Sequence, residues 1–70
     1  MGRLYKIVKD VIGLPREYVT CVSENVAINI LANILSKKQE EILVDVDYYV
    51  KENGINCLYK IIDQNKKLLC

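Results

Sequence analysis

Two residues, Asn53-Gly54, stand between runs that alternate apolar and polar, and they narrow the choice of fold more than any other feature of the chain. Upstream, Ile42, Val44, Val46, Tyr48 and Val50 fall on one parity, and Leu43, Asp45, Asp47 and Tyr49 on the other. This is the period of two expected of a half-buried strand. Asn-Gly supplies the two positive-φ positions of a type I′ turn. A two-residue loop there sets Glu52 opposite Ile55, Val50 opposite Cys57, Tyr49 opposite Leu58, Tyr48 opposite Tyr59, Asp47 opposite Lys60 and Val46 opposite Ile61. One face collects Val50–Cys57, Tyr48–Tyr59 and Val46–Ile61, and the other holds an opposite-charge pair and an aromatic–aliphatic pair. A slip by one residue would exchange the faces, so the register is strongly specified. The reading is a hairpin over 41–51 and 55–63.

The same residues admit a helical alternative. Gln39-Glu-Glu-Ile-Leu and Tyr49-Val-Lys-Glu-Asn-Gly resemble the opening helix of winged-helix repressors, with Leu43, Val46 and Val50 at helical spacing and Gly54 as the residue that ends the helix. The resemblance spans fewer than 20 residues. It implies an all-α fold and a DNA-binding role. The turn and recognition helix of that family do not follow Gly54, so the hairpin is the adopted reading.

Ser23 is placed to cap a helix, and Glu24 suits the positive end of its dipole. Ala27, Ile30, Leu31, Ile34 and Leu35 then recur at i, i+3, i+4, i+7 and i+8, which predicts a helix over 24–37. Val26 and Ile28 widen its apolar stripe, and Asn25, Asn29 and Asn33 form a polar ridge. Residues 17–22 are β-branched and aromatic and read as a strand feeding that helix. Residues 3–12 fit either period. Leu4, Ile7, Val8 and Val11 suit a helix, the reading favoured here, and the same stretch also suits a strand joined through Gly13-Leu-Pro15 to 17–22. After Asp63, Gln-Asn-Lys reads as a turn and Lys67-Leu-Leu as a short edge strand. The expectation is one small α+β domain over 1–70, an antiparallel sheet of three to four strands packed on one main helix, with the N-terminal segment helix or strand.

Composition bears on assembly. A chain of 70 residues buries only about 60% of the surface its unfolded form exposes, and such domains usually carry a staple. Three widely spaced cysteines, Cys21, Cys57 and Cys70, read as reduced thiols, since Lys6, Lys9 and Asp10 interrupt any apolar export signal. Without His or a Cys-x-x-Cys pair, no zinc site is expected. At 51% apolar, self-association is the remaining staple, and a homodimer in the cytoplasm is expected, with neither a membrane span nor a lipid anchor. Lys outnumbers Arg, and Ile and Asn are abundant, a usage that accompanies AT-rich genomes such as those of low-GC bacteria, phages and archaeal viruses.

The chemistry-bearing residues are few. Asp45 and Asp47, two apart on one predicted strand face, have the makings of a metal or acid–base pair, but Lys60 opposite Asp47 reads as its partner on a solvated face. Cys21 and Cys57 lack a His to activate them. No catalytic residue, cofactor or metal is expected. Tyr49, beside Lys51 and Lys60, suits base stacking, although Asp45 and Asp47 repel phosphates and the net charge is only +1. The favoured candidate is a protein-interaction surface made of Tyr49, Leu58 and Ile62, rimmed by Asp47 and Lys60. The competing expectation is that the N-terminal segment covers this face. On these grounds the chain reads as a non-enzymatic interaction or regulatory module, of the kind found as phage or mobile-element accessory or inhibitor proteins. A small nucleic-acid-binding regulator is the alternative.

Overall fold

A computed structural model describes residues 4–64. The elements are β1 (Tyr5–Val11), β2 (Glu17–Cys21), α1 (Glu24–Leu35), a 3-10 turn (Gln39–Glu41), β3 (Tyr48–Glu52) and β4 (Ile55–Asp63). The strands form one antiparallel sheet in the order β2-β1-β4-β3, with α1 packed on one face, an α+β architecture.

The Asn-Gly reading holds. Asn53 and Gly54 take φ of 52° and 78°, as type I′ demands, and the pairs Glu52–Ile55, Val50–Cys57, Tyr49–Leu58 and Tyr48–Tyr59 all form. The all-α alternative is thereby set aside. The upstream strand is shorter than the alternation predicts, however, beginning at Tyr48 rather than near 41. Asp45, with φ of 65°, gives its N–H to the Ile61 carbonyl at 2.8 Å. Two residues, Val46 and Asp47, lie between Asp45 and Tyr48 while one, Lys60, lies between Tyr59 and Ile61, so one extra residue breaks the ladder, much as a bulge does. Val46 is therefore not the partner of Ile61. The preceding loop is tied down by Tyr48, whose hydroxyl accepts from the Leu43 N–H at 2.7 Å and donates to the Glu41 carbonyl at 3.2 Å. Ile42 thus reaches the core although it lies outside any strand.

Residues 5–11 form a strand, not the helix favoured by the sequence. As a central strand β1 carries apolar groups on both faces: Tyr5, Ile7 and Val11 face α1, and Val8 faces away. That two-sided demand placed Ile7 and Val8 side by side and imitated a helical period. β1 turns at Gly13, φ 86°, into β2. The helix ends at Leu35, two residues short of the prediction, because Ser36 adopts a left-handed backbone; its N–H and that of Lys37 bond back to Asn33 and Ala32 at 3.4 and 2.9 Å. At the other end Ser23 accepts from the Val26 N–H at 3.3 Å. Ala27, Leu31 and Ala32 are buried against Tyr5, Ile7, Cys21, Tyr59 and Ile61. The predicted edge strand at Lys67-Leu-Leu lies outside the described residues.

Candidate functional site

Because α1 covers one side of the sheet, parity decides what the other side presents. Odd positions of β1 and β4 face the helix; the even positions Lys6, Val8, Asp10, Leu58, Lys60 and Ile62 face away. β2 adds Tyr18 and Thr20, opposite Val8 and Lys6, and β3 adds Tyr49, opposite Leu58. The five residues singled out in the sequence, Asp47, Tyr49, Leu58, Lys60 and Ile62, thus lie on one open face. Among the described residues, the N-terminal stretch Tyr5–Val11 does not cover them; as β1 it lies within the sheet, between β2 and β4.

The apolar centre of this face is Val8, Leu58 and Ile62. Val8 is only 7% exposed, since Tyr18 and Lys60 stand directly opposite it on either side. Tyr49 at 74% and Tyr18 at 52% exposure stand at the two flanks, three strand spacings apart across the sheet and two residues apart along it. Between Tyr18 and Asp47 runs a groove of about 340 Å³ floored by Val8, Leu58 and Ile62.

The charges on the face are largely paired. Lys60 meets Asp47 at 3.7 Å, the pairing expected from the hairpin register, and Arg16 meets Asp10 at 3.2 Å. Lys6 lies 5.3 Å over the Tyr18 ring. The Arg16 guanidinium, beside the Tyr18 hydroxyl and hydrogen-bonded to Asp10, is held still more firmly protonated than usual. Each exposed ion pair is worth little alone, about 0–1 kcal/mol, yet together they neutralise the rim. Asp45 and Asp47 are not a pair on one strand face, because the ladder breaks between Asp45 and Tyr48. Among the described residues no group of three or more metal-ligating side chains comes together.

The helix-side face carries a second polar cluster at the sheet end beyond α1. Glu52 accepts from the Tyr59 hydroxyl at 3.0 Å on Oε2, and on Oε1 from the Lys9 ammonium at 3.2 Å and the Cys57 thiol at 3.6 Å. These hydrogen bonds, from Tyr59 first and then Lys9, hold the Glu52 carboxyl below its ordinary range. Burial pushes the Cys57 thiol up, and the neighbouring carboxylate pushes it further; burial likewise raises Cys21. Both thiols stay protonated at neutral pH, the opposite of what a nucleophile requires.

Val8, Tyr18, Lys6 and Asp10 belong to the open face and were missing from the sequence-derived set. The signal was present in Gly13-Leu-Pro15: taking 3–12 as a strand hairpinned through that turn to 17–22 brings Tyr18 beside Val8. No family model, curated protein or solved structure matches the chain.

Proposed function

We propose that the chain is a non-enzymatic interaction module that assembles as a homodimer and uses the open sheet face to hold a partner protein, in the manner of a phage or mobile-element accessory or inhibitor. The observation that carries this reading is the face itself: an apolar floor of Val8, Leu58 and Ile62, two exposed tyrosines at its flanks, and a rim whose charges are mutually paired. Tyrosine offers large contact area with few rotors, which suits protein recognition. A paired, near-neutral rim suits a protein surface better than a polyanion.

One observation favours a second reading. Lys6 over the Tyr18 ring joins a cation to an exposed aromatic, the combination that holds unpaired bases and their phosphates. Size-exclusion chromatography of the reduced protein with light scattering and absorbance at 260 and 280 nm separates the two. The proposal expects twice the 8.1 kDa chain mass and a nucleic-acid-free peak. Co-eluting nucleic acid that salt strips away would replace it with the second reading.

A further inference from the structure

The described sheet has two edges, and they differ. Beside β3 the ladder is broken at Asp45, and Lys51 and Glu52 place charges along the strand, the devices by which natural sheets discourage pairing. β2 is less protected. Glu17–Cys21 contains one charge, no Lys and no Pro, and Glu17 to Thr20 are exposed. Among the described residues nothing pairs with the outer side of β2, so the backbone N–H and C=O groups of alternate residues point outward.

The helix layer is uncovered on the same side. The Gln39 side chain bonds Asn29 at 3.0 Å, and Tyr48 ties residues 41–43 to β3, so the chain leaving α1 covers its β3-side flank, with Ala32 buried there. At 100° per residue the opposite flank, toward β2, carries Val26, Ile30 and Ile34 at i, i+4 and i+8. Val26 is 39% and Ile34 41% exposed. Val19, on the helix side of β2 opposite Ile7, is 49% exposed. Strand and helix thus both end in apolar side chains along one border, and no charged residue occurs from Asn25 to Ser36.

We infer that this border is where a second copy of the chain binds, β2 pairing antiparallel with β2 of the partner copy across a two-fold axis perpendicular to the sheet. The inference rests on the interaction-module reading and assigns the surface for its homodimer. Such an axis keeps both helices on one side and requires opposed residues to share parity. Centred on Val19, the register sets Val19 against its own counterpart, Tyr18 opposite Thr20 and Glu17 opposite Cys21, so no like charges meet. An uncharged apolar border selects a partner that is itself uncharged and apolar, and the same border of a second copy provides it. The pairing makes one eight-stranded sheet and brings the two open faces side by side, with Tyr18 of each copy beside the seam. Tyr49 and Leu58 stay free for another protein.

The test uses the full, reduced chain as wild type, Val19→Lys, Ile34→Lys and Tyr49→Asp, with far-UV circular dichroism to establish folding. Light scattering over a concentration series gives mass, and amide hydrogen exchange reads the β2 backbone. Wild type and Tyr49→Asp are expected at twice the chain mass. Val19→Lys and Ile34→Lys, folded, are expected to dimerise at least about tenfold more weakly, because each would bury an unpaired ammonium. The outward β2 amides are expected to exchange faster in both. Retained dimerisation in Val19→Lys and Ile34→Lys, or its loss in Tyr49→Asp alone, would overturn the edge assignment and leave the module reading standing. A wild-type monomer carrying nucleic acid would overturn both.

Discussion

Ile61 and Ile62 are the same residue type, adjacent on β4, and they point to opposite faces, so they provide an internal comparison for the one-sided packing on which the functional reading depends. Ile61 is fully buried against α1, and Ile62 is half-buried on the open face. Truncation to Ala removes three carbons, worth about 2.4 kcal/mol of transfer free energy at about 0.8 kcal/mol each when burial is complete. At Ile61 the surrounding helix and strands relax only partly, and the cavity brings the total into the range of about 2–5 kcal/mol. At Ile62, which keeps less than about a third of its surface exposed, about two thirds or more of the transfer value applies but no enclosed cavity forms, giving about 1.5–2 kcal/mol. A 70-residue domain has only about 4–10 kcal/mol of stability, so Ile61→Ala removes a large share of it and Ile62→Ala a smaller one. Urea unfolding of the reduced protein, followed by circular dichroism at a concentration where it is monomeric, measures both; at roughly 1 kcal/mol per molar urea the midpoints separate by a molar or more. Equal losses, or a larger loss at Ile62, would mean that the second face is also covered. The open-face argument would then fail.

Three further perturbations examine the supporting structure. Gly54→Ala is expected to cost about 1–2 kcal/mol from its positive φ alone, since a Cβ there meets nothing within 4 Å, and a thermal melt unchanged from wild type would contradict the turn geometry. Tyr48→Phe removes the hydroxyl that joins Leu43 and Glu41 and should cost about 1 kcal/mol, read as a fall in Tm of about 4–8 °C; a silent substitution would release the 41–43 loop from this anchor. Glu52, whose carboxyl is depressed in the folded chain, contributes stability that is present above its unfolded pKa and lost as pH falls through the folded one. Urea midpoints should therefore drop as pH falls through and below the ordinary glutamate value of about 4.3, and less steeply in Glu52→Gln; identical slopes would sink the assignment.

Why some of this was readable from the chain and some was not comes down to how many faces each segment buries. The Asn53-Gly54 hairpin was legible because β3 and the first half of β4 bury one side only, leaving an unambiguous period of two. β1 was not, because it is central and buries Ile7 toward the helix and Val8 toward the open face, erasing the alternation. The stretch 42–47 failed for a third reason: its alternation is real, but Asp45 in a left-handed conformation breaks the ladder, and no local pattern announces that. The candidate face inherits these differences. Tyr49, Leu58, Lys60 and Ile62 come from the legible hairpin and were found, whereas Val8 and Tyr18 come from the β1–β2 pairing and were not. The paired rim charges follow the same division: Asp47–Lys60 was predictable from the hairpin register, while Asp10–Arg16 depends on how the chain turns at Gly13. Parity within a strand is a local property that a sequence can carry; whether a second layer covers a face, or a second copy covers an edge, depends on chain segments that parity does not describe. This is why the decisive comparison is between neighbours of opposite parity, Ile61 against Ile62, where residue type is held constant and only the covering surface differs.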